Sequence, residues 1–362
     1  MNNRTRIPIL LILGILIFFC TASISYANKI RYHYLDLGTL GGQYSWGTGI
    51  NNWGQVVGVS ETENDGEYRG FLWMGKKMKN LGSLDDDLTS VAWSINDRGQ
   101  AVGFSLGVDS QRQAVLWDCK GMHELETFGG TSNDALGINR HGEIVGWSLT
   151  SEDLFHAALW DSDGVTDLDP TQSVWSWAWS INKKGDTVGA FLTSDDRVHA
   201  VLWNGKGVHE LRTLGGNESE AYWINDKGEA VGWCDLPGSL EWHACLWNRH
   251  GDVVDLGTAG GLNSEAFSIN DHGQVVGLYY PGTSLDETRA FLWARKHGML
   301  DLNTLVDLPD GVVLVHANSI NDFGWITGMN NLGTAYVLIP LKGCRDAKVR
   351  GQGFERSKCN RH

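Results

Sequence analysis

Short apolar stretches separated by polar, glycine-ended turns run through most of the chain. In one example, SEAYWIN ends at Asn225, the turn Asn225-Asp226-Lys227-Gly228 follows, and EAVGW, HACLW and VVDL come next. Asn and Asp side chains bond back to a turn backbone, and Gly adopts the positive φ that closes a tight hairpin. The pattern predicts four consecutive antiparallel strands per unit.

This unit recurs seven times. An Ile-Asn step falls at Ile50, Ile95, Ile138, Ile181, Ile224, Ile269 and Ile320, with spacings of 45, 43, 43, 43, 45 and 51 residues. Leu-Trp begins at Leu72, Leu116, Leu159, Leu202, Leu246 and Leu292, and Val337-Leu338 replaces it in the seventh unit. Periods in the forties with four strands per unit predict a propeller or a solenoid.

The two ends of the repeat region are complementary. RYHYLDLG, near the start, matches a fourth strand without its first three, and AYVLIPL, near the end, matches a third strand without its fourth. Pairing them closes a ring and covers an exposed sheet edge, whereas a solenoid needs no such match. We therefore predict an all-β, seven-bladed β-propeller of four-stranded blades over residues 28–340, closed by the N-terminal strand.

Small residues precede each Ile by three positions, as expected where seven strands converge on an axis. They are Gly47, Ala92, Ala135, Ala178, Ala221, Ala266 and Ala317. Large aromatic residues are most often part of a core. The Leu-Trp tryptophans, with Trp93, Trp179, Tyr222 and Phe267, are accordingly interpreted as packing between blades.

Residues 1–27 differ from the repeats. Arg4 and Arg6 precede an apolar run from Ile7 to Phe19, and Ser25-Tyr26-Ala27 follows. This arrangement is typical of a secretory signal peptide cleaved after Ala27. An uncleaved anchor is the alternative, although the run is shorter than the ~20 residues of a spanning helix. We expect a secreted, periplasmic or cell-surface protein with no transmembrane segment after cleavage.

The net charge is −14, although residues 341–362, predicted to be a disordered tail, contain seven Lys or Arg and only two acids. Because the tail is basic, the propeller itself is more negative than the whole chain. This negative charge disfavours nucleic acid as a partner, because binding to nucleic acid depends on neutralising its phosphates. No cofactor is expected. The acidic stretches Asn64-Asp65-Gly66 and Asp85-Asp86-Asp87 lack the spacing of a calcium loop, so solvated loops are favoured over calcium sites.

Five cysteines follow the predicted leader. Outside the cytoplasm disulfides persist, and proximity along the chain favours the pairs Cys234–Cys245 and Cys344–Cys359, which leaves Cys119 over. Sequence alone does not fix this connectivity.

DLGTLGG, INxxGxVVGxS and the HA-x-LW runs at His156, His199 and His243 resemble the HAF repeat of secreted bacterial proteins. The resemblance extends from Leu35 to about Leu338, with departures at LGSLDDD and DLDPTQS. It implies export and a repeat fold, and it implies no catalytic residues.

One position varies from unit to unit, four residues before each Ile. Its residues are Trp46, Val91, Asp134, Trp177, Glu220, Glu265 and His316. Strand alternation points them away from the small residues, near the loop end of the inner strands. All but Val91 are candidate ligand-binding residues, because aromatic rings stack on sugars and carboxylates accept hydroxyls. The alternative is that they fill gaps between blades.

Three functions stay open. The first is a monomeric, non-catalytic binding or scaffold protein for an extracellular glycan or protein, bound at the acidic loop face or the central mouth. The second is a polysaccharide hydrolase or lyase, for which Glu220 and Glu265 are the nearest carboxylate pair. The third is an envelope component whose basic tail docks on an anionic polymer.

Overall fold

The computed structural model describes residues 31–341, apart from 65, 85–88, 108–110, 170–174, 239–240, 283–284 and 286. Its strands form seven four-stranded antiparallel sheets, each of them one blade of a ring, which confirms the predicted β-propeller. The predicted signal peptide, and the predicted tail after Leu341, lie outside the described residues.

The strands follow the repeat units, with the innermost strand of each blade first in sequence. Blade 1 contains β2 (Gly41–Ile50), β3 (Val56–Thr62), β4 (Tyr68–Trp73) and β5 (Met78–Asn80). Blade 2 contains β6 (Ser90–Ile95), β7 (Ala101–Leu106), β8 (Arg112–Asp118) and β9 (Gly121–Glu124). Blade 3 contains β10 (Gly129–Ile138), β11 (Ile144–Thr150), β12 (Phe155–Asp161) and β13 (Gly164–Asp167).

The remaining blades repeat this order. Blade 4 contains β14 (Trp175–Ile181), β15 (Thr187–Leu192), β16 (Val198–Asn204) and β17 (Gly207–Glu210). Blade 5 contains β18 (Ser219–Ile224), β19 (Ala230–Asp235), β20 (Trp242–Trp247) and β21 (Val253–Asp255). Blade 6 contains β22 (Ser264–Ile269), β23 (Val275–Tyr279), β24 (Arg289–Ala294) and β25 (Gly298–Asp301), followed by a 3₁₀ turn at Leu302–Thr304. Blade 7 contains β26 (Leu314–Ile320), β27 (Ile326–Asn330) and β28 (Ala335–Pro340).

The N-terminal strand β1 (Tyr32–Gly38) completes blade 7 by pairing antiparallel with β28. Leu35 lies opposite Val337, and Asp36 lies opposite Tyr336. The edge of β28 is therefore covered by a strand from the other end of the chain, as the complementary ends of the repeat region predict.

Neighbouring blades are held together by separate apolar clusters. Between blades 4 and 5, for example, Val188 and Ala200 pack with Ala221, Ile224 and Trp247. The Leu-Trp tryptophans are buried in such clusters, as interpreted from the sequence: Trp73, Trp117, Trp160, Trp203, Trp247 and Trp293. Each buried side chain of this size contributes roughly 1.5–3 kcal/mol.

The axis is as crowded as the small residues imply. All six alanines of that set are fully buried. A Cβ at Gly47 would lie 2.3 Å from the Thr327 hydroxyl oxygen of blade 7, so any larger residue there would require this buried side chain to shift.

A closed circle of hydrogen bonds joins the turns after the inner strands. We call the seven asparagines of the Ile-Asn steps the turn ring: Asn51, Asn96, Asn139, Asn182, Asn225, Asn270 and Asn321. In each, Nδ2 donates to the backbone oxygen of the next blade's asparagine at 2.9–3.3 Å, and Asn321 completes the circle by donating to Asn51. The sequence predicted the turns, but it did not predict this link between blades.

Two of the predictions about cysteine pairing are tested by the structure. Cys234 on β19 and Cys245 on β20 form a disulfide, with Cα atoms 6.1 Å apart. Cys119 is also disulfide-bonded, so the expectation that it is left over is wrong. Cys344 and Cys359 lie outside the described residues.

Candidate functional site at the loop end of the inner strands

Every inner strand carries a β-bulge directly after its small residue. In β18, Ala221 pairs with Gly232 and Trp223 pairs with Val231, which leaves Tyr222 unpaired. The extra residue restores Ala221 and Ile224 to one face, and both lie in the same apolar cluster. Without a bulge, residues three apart would point to opposite faces of the strand.

The unpaired residues form a second ring around the axis: Thr48, Trp93, Leu136, Trp179, Tyr222, Phe267 and Asn318. Trp179 and Tyr222 meet edge to face with ring centroids 5.7 Å apart, and Tyr222 lies 5.8 Å from Phe267. These three rings contact one another across blades 4, 5 and 6, as expected for packing between blades. They are also partly exposed, so they line the opening as well.

Glu220 lies directly before the small residue of β18 and accepts hydrogen bonds from indoles of two blades. Trp177 and Trp179 of blade 4 each donate Nε1–H to Glu220 Oε1 at 2.6 Å. Trp233 of blade 5 lies with its Nε1 3.4 Å from Oε2 and 3.1 Å from the Tyr222 hydroxyl. Burial raises the pKa of Glu220, while the indole donors act in the opposite direction. The side chain nevertheless remains partly exposed.

Glu265 occupies the same position in blade 6. Trp242 donates Nε1–H to its Oε1 at 3.2 Å. Burial raises the pKa of Glu265, and the nearby charge of Glu220 raises it further. Two carboxyl groups and an aromatic surface therefore share one sector of the opening, in blades 4 to 6.

Asp134 belongs to a different environment in blades 2 and 3. It is fully buried, forms an ion pair with Arg112 Nη1 at 2.8 Å, and accepts Nε1–H of Trp93 at 3.1 Å. Burial raises the pKa of Asp134 to about 7, against the lowering effect of Arg112. Arg112 also lies over the Phe104 ring, 4.5 Å from its centroid. Asp134 therefore presents no free oxygen to the opening.

Trp46 and His316 meet where blade 7 joins blade 1, with ring centroids 5.9 Å apart in an edge-on arrangement. Trp46 Nε1 and His316 Nδ1 are shielded from solvent and have no hydrogen-bond partner. Burial lowers the pKa of His316, which favours the neutral ring. Val91, the remaining residue of the predicted ring, is buried. Trp177 thus bonds to Glu220, and the charge of Glu220 acts on Glu265, whereas Asp134 is paired with Arg112. Trp46 packs on His316, whose ring centroid lies 6.5 Å from that of Phe267.

The repeated histidines of the HA-x-LW runs act within their own blades. His156 Nδ1 lies 2.7 Å from Asp167, His199 Nδ1 2.6 Å from Glu210, and His243 Nδ1 2.9 Å from Asp255. Each contact joins the third strand of a blade to the fourth.

Neither a metal-binding cluster nor a membrane-spanning helix occurs among the described residues. In the ranges given above, no three His, Cys, Asp or Glu side chains are grouped so as to hold a metal ion. No helix in the same ranges is long and apolar enough to cross a membrane. Asp65 and Asp85–Asp87, considered above for calcium, lie outside the described residues.

Comparisons with known proteins establish the fold alone. No protein-family model and no curated protein match the sequence. Catalytically inactive virginiamycin B lyase from Staphylococcus aureus, solved with quinupristin, is 10% identical with a TM-score of 0.50, covering 86% of this chain and 99% of that one. The β-propeller domain of the Trilobed protease from Pyrococcus furiosus, with an open velcro topology, is 14% identical with a TM-score of 0.51, covering 70% and 79%.

TolB from Acinetobacter baumannii is 13% identical with a TM-score of 0.46, covering 79% of this chain. The present chain spans 63% of the TolB chain. The lyase and the protease domain match this chain in fold at 10% and 14% identity, and a β-propeller fold alone does not decide between binding and catalysis.

Proposed function

We propose that this protein is a secreted, non-catalytic binding protein that holds a carbohydrate at the loop end of its inner strands, against Glu220. The resemblance to the HAF repeat and the N-terminal segment support export. The ring architecture supports a rigid platform for ligand binding.

The hydrogen bonding of Glu220 carries this proposal. Oε1 accepts two short indole N–H bonds, which fix the carboxylate, while Oε2 has a longer 3.4 Å contact with Trp233, and the Tyr222 hydroxyl is a further hydrogen-bond partner of the Glu220 carboxylate. A carboxylate oxygen accepts more than one hydrogen bond, so Oε2 retains capacity for a ligand hydroxyl. In the part of the chain that the structure describes, no basic side chain forms an ion pair with Glu220.

The aromatic residues beside Glu220 supply the second element of a sugar site. Trp179, Tyr222 and Phe267 form a continuous, partly exposed run of rings. Aromatic rings combine large apolar contact area with low loss of side-chain freedom, which suits the flat faces of pyranose rings.

A glycan array probed with the mature protein, with and without calcium, tests the proposal, and calorimetry on the strongest ligand then quantifies it. Glu220→Gln removes the charge and retains an acceptor oxygen, and we expect it to weaken binding about tenfold. The matched control is Glu210→Gln, the same change on the outer strand of blade 4, which should bind normally. Equal affinity in the wild type and Glu220→Gln would contradict the proposal.

A second candidate, polysaccharide hydrolysis or elimination, has one observation in its favour. Burial raises the pKa values of Glu220 and Glu265, and the charge of Glu220 raises the pKa of Glu265 further. Two coupled carboxyl groups in unequal environments are typical of an acid–base pair. Release of product from a bound glycan, abolished in both Glu220→Gln and Glu265→Gln, would favour this candidate over binding alone.

A further inference from the structure

Asp134 and Glu220 occupy equivalent positions of the repeat, four residues before the Ile of their inner strands. Each accepts an indole N–H from the bulge residue of the preceding blade. Trp93 donates to Asp134 at 3.1 Å, and Trp179 donates to Glu220 at 2.6 Å. The two carboxyl groups therefore belong to repeated copies of one arrangement, and a difference between the copies concerns the same place in the blade.

A cation of the chain itself completes the copy at Asp134. Arg112, at the start of the third strand of blade 2, pairs with Asp134 at 2.8 Å and lies 4.5 Å from the ring centroid of Phe104. The guanidinium thus combines an ion pair with a cation–π contact, and each of these is strengthened where water is partly excluded.

The copy at Glu220 has no such cation. The strand registers of blades 2 and 4 match Val198 to Arg112 and Ala190 to Phe104. Among the residues that the structure describes, no basic side chain forms an ion pair with Glu220. The chain therefore supplies no positive charge to this carboxylate from the position that supplies it to Asp134.

Aromatic rings and a second carboxyl group lie beside Glu220. Trp177 donates to Glu220, and the Tyr222 hydroxyl is a further hydrogen-bond partner. Burial raises the pKa of Tyr222, and the charges of Glu220 and Glu265 raise it further. Tyr222 therefore lies close to both carboxyl groups, and the Phe267 ring centroid is 5.8 Å from its own.

The loop end around this position is acidic. In blade 5, residues 213–224 and 231–247 contain four acids and no Lys or Arg: Glu218, Glu220, Asp235 and Glu241. The corresponding segments of the neighbouring blades contain five acids and two arginines: residues 175–181 and 188–202 of blade 4, and residues 264–269 and 275–292 of blade 6. One of these arginines, Arg197, is paired with Asp195 at 3.2 Å. The potential of this sector therefore favours a positively charged ligand group.

We propose that the sugar bound against Glu220 carries a protonated amino group, which takes the place at Glu220 that Arg112 has at Asp134. This inference rests on the proposed function and names the class of its ligand, an amino sugar with a free amine. The ammonium pairs with the Glu220 carboxylate, with Glu265 nearby, and contacts the adjacent rings, as cations do in aromatic cages. A calcium ion fits this place less well, because it takes about six to eight oxygen ligands and indoles supply none.

The ionisation of the two carboxyl groups agrees with this assignment. Burial raises the pKa of Glu220, so the charged form is costly while no positive charge is near. At Asp134 the charge of Arg112 acts against the effect of burial and lowers the pKa. A bound ammonium has the same effect on Glu220.

Calorimetry with the β-1,4-linked trimer of glucosamine tests the inference, and the N-acetylated trimer is the uncharged comparison with the same backbone. We expect the trimer with free amines to bind about tenfold more tightly. The acetylated nitrogen carries no charge, so it forms neither the charge-assisted hydrogen bond nor the cation–π contact.

Val198→Arg supplies the missing cation from the chain itself. We expect this variant to bind the glucosamine trimer about tenfold more weakly, because the new guanidinium occupies Glu220 as Arg112 occupies Asp134. Val198→Met is the uncharged variant of similar length. Val254→Arg makes the same charge change at an exposed position on the outer strand of blade 5. Both controls should bind as the wild type does, and circular dichroism checks that all three variants fold.

Equal affinity for the two trimers would overturn the inference, as would unchanged binding of the glucosamine trimer to Val198→Arg. Equal losses in Val198→Arg and Val254→Arg would also overturn it, because general charge repulsion then explains the effect. If neutral glycans bind in a manner that depends on Glu220 and the glucosamine trimer does not, the inferred amine is wrong and the proposed sugar site stands.

Discussion

The two ends of the inner strands differ in how much their residues vary from blade to blade. At the turn end, all seven blades present asparagine and form the same hydrogen bond to the next blade. At the loop end, the equivalent positions hold Trp, Val, Asp, Glu or His. The turn end therefore provides one uniform link between all neighbouring blades, while the loop end is free to differ from blade to blade. Such freedom on a rigid scaffold is where binding specificity arises.

The loop end itself contains two contrasting carboxyl groups. Asp134 is fully buried and is paired with Arg112, whereas Glu220 is partly exposed and is held by neutral indoles. An ion pair neutralises the first group, but the indole donors leave the charge of the second available to a ligand. Asp134 belongs to the scaffold on this account, and Glu220 belongs to the site.

The largest loss of stability should come from Asn225→Ala, which removes one link of the turn ring. Asn225 is buried, accepts two backbone N–H bonds, and donates to Glu229 and to the backbone oxygen of Asn270. Losing these bonds should lower the free energy of unfolding by about 3 kcal/mol, at roughly 1 kcal/mol per net bond with some relaxation. Urea denaturation followed by circular dichroism measures the change, and a loss below about 1 kcal/mol would refute the role given to the turn ring.

A pH-dependent effect should follow from Arg112→Gln. The pKa of Asp134, about 7 in the native state, is raised above its unfolded value of about 3.9. Native Asp134 therefore binds more protons between these values, and its contribution to stability falls as pH rises through this window. Without Arg112 the pKa should rise further, which costs about 1.4 kcal/mol at pH 8 and little at pH 5.

Denaturation of the wild type and Arg112→Gln at both pH values tests this expectation. Arg197→Gln is the control, because its partner Asp195 is exposed and the variant should show no such pH dependence. An equal loss at pH 5 and pH 8 for Arg112→Gln would mean that packing on Phe104, and not charge, explains the effect.

Glu220→Gln should separate stability from binding. Burial raises the pKa of Glu220, so the charged form is disfavoured in the native state and its removal should stabilise the protein at pH 7, by less than about 1 kcal/mol. The same variant should bind the glycan ligand about tenfold more weakly. A loss of stability, with affinity unchanged, would reassign Glu220 to the scaffold.

The smallest effect on stability should come from Lys227→Ala, two residues after Asn225 in the turn of blade 5. Only the backbone of Lys227 bonds to Asn225, and its side chain is exposed. The free energy of unfolding should stay within about 0.5 kcal/mol of the wild type. A larger loss would show that the Lys227 side chain contributes to the turn ring.

The sequence was sufficient for the blade count and the closing strand, because the Ile-Asn and Leu-Trp anchors repeat in order and the strands at the two ends are complementary. It did not reveal the turn ring, since an amide that bonds to a residue 43 to 51 positions away, or 270 positions away where the ring closes, leaves no local pattern. The bulges had a usable signal: each small residue and its Ile lie three apart, yet both must face the core. The indole donors around Glu220 had no such signal in the sequence, because the direction of an indole N–H depends on side-chain torsions and on the bulge at Trp179.

Indole N–H resonances report most directly on the central claim that a ligand binds against Glu220. In ¹⁵N-tryptophan-labelled protein titrated with the strongest glycan, the resonances of Trp177, Trp179 and Trp233 should shift together with one binding constant. Those of buried Trp117, Trp203 and Trp247 should stay in place. If the three indoles around Glu220 are unmoved at saturation, the carbohydrate site lies elsewhere and the account is contradicted.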